Sequence, residues 1–267
     1  MKFFFIAFFL VCTALFNEKQ TNDKKIIMAI FAHPDDEAVT NVSSLLARYA
    51  REGNKVYLVI ATKGELGANK HAGVPAGDSL AKVRAGEALC ASKALGIEPA
   101  ILLGLGDGGL AKHFTGEPLH KKLDSVLQLY APDIIITWGP DGGYGHMDHR
   151  MVHNVTTELY QTGKMKKTAT LYYAGMPADI WQQWTEQKKG KIWMYDNWNP
   201  VAKQYLTTRI KCTKDDLQKA IAALYCHWSQ FTKEEMEETS RWMSVTNDTV
   251  YLRPFMPAST INYDLIY

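Results

Sequence analysis

Short apolar runs alternate with amphipathic stretches along most of this chain. Ile26 to Phe31, Val56 to Ala61, Ile101 to Leu105, Ile134 to Trp138 and Leu171 to Ala174 are nearly continuous in aliphatic and aromatic residues. Such runs predict strands buried on both faces. Between them, Val42 to Arg51, Ser79 to Leu95, Leu119 to Tyr130 and His149 to Tyr160 carry apolar residues at helical spacing. The alternation predicts βαβ units, and hence an α/β fold whose mostly parallel sheet is covered by helices on both faces. Gly53-Asn54 and Gly96 fall where helices should stop before the next strand. From about residue 176 the pattern loosens and becomes rich in Trp, Lys and Gln. There "KQYLTTRIKC", residues 203–212, reads as a strand, and Thr213 as the cap of a helix running to about His227. "TVYLRPF", residues 249–255, reads as a late edge strand ended by Pro254. The expected organisation is one domain over residues 25–267, with its core within about 25–230 and a C-terminal elaboration after it.

Residues 1–24 break the pattern. Lys2 precedes the apolar run Phe3 to Phe16, and the polar stretch Asn17 to Asp23 follows. This is the layout of a secretory signal, too short to span a bilayer comfortably. Cys12-Thr13-Ala14 is a passable cleavage site, and the mature chain is expected to begin between Leu15 and Asp23. Bulky Val11 argues against a lipoprotein reading at Cys12, and an uncleaved N-terminal anchor is the alternative. The expectation is an exported protein, periplasmic or extracellular, with no stable membrane span in its mature form. Cys90, Cys212 and Cys226 then remain, an odd number without CxxC spacing, which excludes a disulfide scaffold and a thiolate zinc site. Cys90 lies in a helical apolar pattern and reads as a core residue, and a Cys212–Cys226 bridge is left open. A net charge of +2 and the lack of a basic stripe give no reason to expect nucleic acid.

In open α/β sheets, ligands bind outside the carboxyl ends of the strands. Loops there hold nearly all the suggestive residues: "HPDDE" (33–37), "ATKGELG" (61–67), Asp107 in "GDGGL", and "WGPDGGYGHMDH" (138–149). Carboxylates packed at a strand end repel one another unless something positive lies between them. His33 and Asp36 offer a nitrogen and an oxygen within one turn, and His146 and His149 are spaced to share a helical face. Two histidines and a carboxylate with an open fourth position form a common catalytic zinc arrangement. A helix cap with solvated acids explains either motif alone better than it explains both at successive strand ends.

"AHPDDE" followed by "GHMDH" resembles the PIG-L/LmbE-like family of zinc-dependent N-acetylglucosaminyl de-N-acetylases. "TKGELG", "RAGEALCASKALG" (84–96), the aspartate of "LGDGGL" and "HWSQ" (227–230) are similar to further family motifs, so the likeness extends over about residues 25–230. Met147 departs from it where the family often carries proline. The resemblance implies a Rossmann-like three-layer sandwich with one Zn2+ per chain, held by His33, Asp36 and His149. It implies that Asp35 is the general base and that His146 polarises the amide oxygen or protonates the leaving amine. Asp148 would orient His146, Tyr144 would donate to the developing oxyanion, and Arg84 and Asp107 would hold sugar hydroxyls. The implied substrate is a small molecule or glycan bearing an N-acetyl amino sugar. Iron or cobalt could take the same donors.

Plainer roles suit other residues. Glu37 is expected to satisfy backbone donors at a helix start. Glu65 is divided between turn structure and site support, and His227 and Gln230 between bracing the crevice and buried hydrogen bonding. His71, His113, His120 and His153 read as surface or core residues, and Trp181, Trp184, Trp193 and Trp198 as packing of an irregular cap, with stacking on sugar rings as the alternative. Rival functions are hydrolysis of another N-acyl substrate, or a sugar-binding protein that has lost turnover. A dinucleotide-binding dehydrogenase is a poor third, because no GxGxxG follows the first strand.

Overall fold

The computed structural model describes residues 24–112, 117–188, 197–245 and 249–266. The leader, His113 and Trp193 therefore lie outside the described residues. Seven strands form one sheet: β1 (Ile26–Phe31), β2 (Lys55–Thr62), β3 (Ile101–Leu105), β4 (Ile134–Thr137), β5 (Thr170–Ala174), β6 (Thr208–Lys211) and β7 (Thr249–Pro254). Their order is β3-β2-β1-β4-β5-β7-β6. The first five are parallel, with Ile27 opposite Val56 on one side and Ile134 on the other. β7 runs antiparallel to both β5 and β6.

Alternation along the strands divides the core. Ile27, Ala29 and Phe31 of β1, with Val56, Leu58 and Ile60 of β2, face helices α2 (Ser43–Arg51) and α3 (Asp78–Leu95) through Leu46, Tyr49, Ala88 and Leu95. Met28, Ile30, Val59 and Ala61 face α4 (Glu117–Tyr130) and α5 (Met147–Gln161) through Leu123, Leu127, Val152 and Leu159. A two-residue period with both sets buried is why these strands read as continuous apolar runs. The three-layer α/β expectation is met. Among the described residues the remaining α-helices include the short α1 (Asp36–Val39), α6 (Ala178–Lys188), α7 (Lys214–Leu224) and α8 (Lys233–Val245).

The C-terminal third shows the departures. The 203–212 strand is shortened to β6 after a 3-10 turn at Lys203–Tyr205. Thr213 does cap α7: its hydroxyl accepts from the Asp216 amide (3.2 Å) while Asp216 accepts from the Thr213 amide (2.8 Å), though the helix ends at Leu224. β7 is an inner strand, not an edge, because β6 folds back alongside it; Pro254 is tolerated at its last position. The cysteine expectation also fails. Cys90 is exposed on α3 and forms a disulfide with Cys226, their Cα atoms 5.8 Å apart, while Cys212 is buried outside the bridge. The pairing spans 136 residues and depends on α3 meeting the end of α7, which no local pattern encodes.

Candidate metal centre and catalytic site

The chain leaves β1 at the carboxyl edge of the parallel strands through a strained corner. Asp35 has φ +122°, a conformation costly for a residue with a Cβ and characteristic of functional turns. Its carbonyl accepts from the amides of Ala38 (2.9 Å) and Val39 (3.2 Å), which opens α1. The neighbouring Asp36 is buried, and its Oδ2 accepts from Ala32 N (2.8 Å), His33 N (2.9 Å) and Trp138 Nε1 (2.9 Å). Oδ1 is thereby turned toward His149 Nε2 at 3.3 Å and His33 Nδ1 at 3.7 Å.

The two histidines have fixed tautomers. His149, in the first turns of α5, stacks on Trp138 (4.0 Å, 7°) and donates from Nδ1 to Gly142 O at 3.0 Å. Gly142 makes that turn at φ +63°, where a Cβ would meet Arg150 Cγ at 2.8 Å. His149 Nε2 is therefore a lone pair. His33 places Nε2 3.1 Å from Asp107 Oδ1 and 3.5 Å from Asp148 Oδ2, so the proton belongs on Nε2 and the lone pair on Nδ1. That lone pair lies 3.1 Å from His149 Nε2. With His33 neutral, two imidazole lone pairs and a carboxylate oxygen thus converge, a contact relieved by a cation between them or by a proton on His33 Nδ1. Ligands about 2.1 Å from a tetrahedral centre lie about 3.4 Å apart, close to the three separations found here. The donor set fits a metal. The ring nitrogens of His33, His146 and His149 also lie within 4.8 Å of one another, so a three-histidine set is in reach as well.

Charges around the site are strongly perturbed. Burial opposes the charge on His33, but Asp107, Asp148 and Asp36 hold it well above the usual imidazole range. Burial likewise opposes the charge on Asp36, and His149 and His33 overcome it, holding the carboxyl well below its ordinary value. Asp35 goes the other way, pushed up to about 6 by burial and by Asp36 against the pull of Arg84. His146 is lowered by burial and by His33 and His149, and Tyr144 is raised by burial and the nearby carboxylates. His146 also caps α5, its Nδ1 accepting from the Asp148 amide at 3.2 Å, so its proton sits on Nε2.

These residues line one cavity of about 440 Å3, which includes His33, Asp35, Asp36, Asp107, Tyr144 and His146. Arg84 lines it too, but its guanidinium donates to Gly64 O (2.9 Å), to Pro34 O and to Asp35 Oδ2 (3.0 Å). A Cβ at Gly64 would collide with that guanidinium, which explains the glycine in the second loop. Arg84 is thus a clamp on two loops and on Asp35, not the open sugar ligand expected. Asp107 is similarly engaged, accepting from Leu66 N at 3.1 Å while facing His33, which holds its carboxyl down at about 2 despite burial. The Asp148 side chain does not bond to His146. It accepts from Gly108 N (2.8 Å) and Leu110 N (3.0 Å) and faces His33, because the start of α5 abuts the loop after β3.

Other expectations resolve case by case. Glu37 reaches past the helix start to a fully buried contact with His227, Oε1 to Nε2 at 2.7 Å. Glu65 accepts from the Asp107 amide (3.2 Å) and ties the second loop to the third. Gln230 lines the cavity. His153 is buried and donates to Trp138 O (2.9 Å), His71 to Trp228 O (2.9 Å), and His120 faces Glu158 (3.6 Å). Trp181 and Trp184 pack with Trp242. Trp138 is a further functional residue that the loop motifs do not mark; its signal in the sequence is a tryptophan closing an apolar strand, whose Nε1–H needs a partner.

Residues 28–160 match the family described as PIG-L: GlcNAc-PI de-N-acetylase. A 1D-myo-inositol 2-acetamido-2-deoxy-alpha-D-glucopyranoside deacetylase of Mycobacteroides abscessus is 36% identical over 166 residues, 55% of this chain and 59% of that one. The enzyme of the same name from Streptomyces avermitilis is 35% identical over 157 residues, 51% of this chain and 53% of that one. The chain therefore spans little more than half the length of the curated relatives it matches. Among solved structures, N,N'-diacetylchitobiose deacetylase from Pyrococcus horikoshii superposes with a TM-score of 0.65 at 18% identity, covering 89% of this chain and 87% of that one. The 4-carboxy-2-hydroxymuconate hydratase GalB of Pseudomonas putida superposes at 0.61 with 17% identity, covering 90% and 100%. Likeness at that identity speaks to fold alone.

Proposed function

We propose, from the premise that this chain belongs to the PIG-L family through residues 28–160, that it is a zinc-dependent hydrolase removing the acetyl group from an N-acetylglucosamine-type amino sugar or glycoconjugate. One observation carries the reading. His33 Nδ1, His149 Nε2 and Asp36 Oδ1 converge within 3.1–3.7 Å of one another, beside a cavity lined by His33, Asp35, Asp36 and His146. Since the same fold carries a hydratase, the donor set and the relatives' names support the reaction more than the fold does.

His33, Asp36 and His149 would hold the ion, whose contribution is to polarise the amide carbonyl and acidify water. Asp35 stands beside the ligands with Oδ2 held by Arg84, and takes the proton from the water that adds to the carbonyl carbon. Tyr144, kept protonated by burial, donates to the oxyanion that forms. His146 Nε2–H polarises the amide oxygen, and the proton taken up by Asp35 passes to the nitrogen as the C–N bond breaks, releasing acetate and the free amine. Asp107 and Asp148 keep His33 in its ligating tautomer, and Trp138 aims Asp36. Acetate release from N-acetylglucosaminyl compounds, abolished by a chelator and restored by zinc, is the expected result. Unchanged hydrolysis in the chelator would refute the zinc role, and no acetate from any such compound would refute the deacetylase reading.

Export completes the proposal. Its support is the Lys2-plus-apolar leader together with the Cys90–Cys226 disulfide, a bond favoured in oxidising compartments. An intact Met1 on a cytosolic product would overturn it.

A further inference from the structure

The Cys90–Cys226 disulfide is built into the support of the catalytic cavity. Along α3, Arg84, Glu87 and Cys90 follow one another at three-residue spacing, which puts them on one side of the helix. Arg84 holds Asp35 Oδ2 (3.0 Å), and Glu87 accepts from the amide and hydroxyl of Ser229 (2.7 and 2.8 Å). Cys90 is bonded to Cys226. One strip of α3 therefore grips the base at one end and the segment 226–231 along the rest. That segment has further ties. His227 meets Glu37, the neighbour of Asp36, at 2.7 Å. Asn69 Nδ2 donates to Gln230 O (3.1 Å), and His71 to Trp228 O (2.9 Å). Gln230 and Phe231 then line the cavity.

Of these contacts the bridge alone is covalent, and one of its ends faces solvent. Cys90 is exposed, whereas Cys226 is buried. Thiol–disulfide exchange needs an accessible sulfur, so an exposed bridge is the kind that a thiol can open. The other contacts are hydrogen bonds and an ion pair, which can give way locally without global unfolding once the chain at Cys226 is released.

We propose that Cys90–Cys226 is a redox modification site for a dithiol, and that its state controls the cavity wall formed by residues 226–231. A thiolate of the dithiol attacks Cys90 Sγ, the Cys90–Cys226 bond breaks, and Cys226 leaves as a thiolate that takes up a proton. The second thiol of the dithiol then attacks the mixed disulfide and releases Cys90 as a thiol. Two electrons and two protons pass to the protein, and the dithiol becomes a disulfide. Closed, the bridge holds the wall against α3; open, it lets the wall move and lowers turnover. The effect on turnover rests on the deacetylase reading, whereas the release of the wall does not. Misplaced groups around a reacting substrate cost up to about 10²-fold in rate; with His227–Glu37 and Ser229–Glu87 still available, roughly tenfold is expected.

The test treats the zinc-loaded full chain with reduced and then with oxidised dithiothreitol. Thiol titration counts the opened bridge, and amide hydrogen exchange reads the wall at Ser229, whose amide bonds to Glu87. Acetate release from an N-acetylglucosaminyl compound gives kcat/KM. Dithiothreitol also binds zinc, so Cys90→Ser is treated in parallel, and any response of that variant reads chelation alone. Reduction is expected to expose two thiols, speed exchange at Ser229 about tenfold and lower kcat/KM about tenfold, all reversed by the oxidised reagent. Cys90→Ser should show the fast exchange and the low kcat/KM before any treatment. A bridge that stays closed in the folded protein, exchange at Ser229 unchanged after opening, or full activity in Cys90→Ser would each overturn the proposal. If neither redox state releases acetate, the deacetylase reading fails, and exchange at Ser229 still decides whether the bridge controls the wall.

Discussion

Replacing Trp138 with Phe probes how the buried aspartate is aimed. The substitution removes one of the three donors on Asp36 Oδ2, the Nε1–H at 2.9 Å, and leaves the amides of Ala32 and His33. A ring remains to stack on His149. Hydrogen bonds to charged groups contribute about 1.5–3 kcal/mol, and a buried carboxylate has no water to replace the lost donor. Part of that loss should appear as freedom of Asp36 to rotate Oδ1 away from the two histidine nitrogens. Zinc affinity should fall about 10–100-fold, the usual effect of removing a group that orients a metal ligand. Competition against a chromophoric chelator measures the affinity, and urea unfolding with zinc removed measures stability separately. Trp181→Phe is the control, since it trims a buried tryptophan packed against Trp242 and removes none of the three donors on Asp36 Oδ2. Both variants should lose stability, but Trp138→Phe alone should lose zinc affinity. Equal zinc affinity in the two would refute the role given to Trp138.

Asp35→Asn should keep about one zinc per chain and lower kcat by ~10²–10⁴, whereas Asp36→Asn should lose metal and activity together; the reverse pattern, read by metal analysis and acetate assay, would exchange the two roles. Glu37→Ala leaves His227 without its buried partner and should destabilise the fold by about 3–5 kcal/mol in urea titrations. Glu37 raises His227 above its ordinary value although burial opposes this, so the pair's contribution is complete below about pH 6.5 and is lost as pH rises through the raised value. The stability gap between the native protein and His227→Gln should therefore shrink with rising pH, and a gap that grows would contradict the pairing. Cys226→Ser opens a bridge across 136 residues and should cost about 5 kcal/mol on the chain-entropy estimate, with thiol titration confirming that Cys90 becomes reactive.

Much of this molecule was legible because its determinants are local. The strands of the parallel sheet are short apolar runs whose two faces are both buried, so their composition alone marks them. The loops after those strands must lie on one rim in such a sheet, which brought His33, Asp36, Asp107, His146 and His149 to one place before any contact was known. "HPDDE" and "GHMDH" keep their donors within a turn of chain, where spacing determines who can face whom. Tertiary structure decided what depends on partners far away in sequence. Trp138 reaches Asp36 across 102 residues, His227 reaches Glu37 across 190, and Cys90 meets Cys226 across 136. Asp148 turned to the loop after β3, and Arg84 to two carbonyls and Asp35, because burial demands a partner for every charge and the packing offered those. The strand 249–255 became internal for a similar reason: β6 supplied the ladder that its pattern alone could not announce. Residue type and period determine which groups can form a site, whereas the direction each buried polar group points is set by neighbours that only the folded chain assembles.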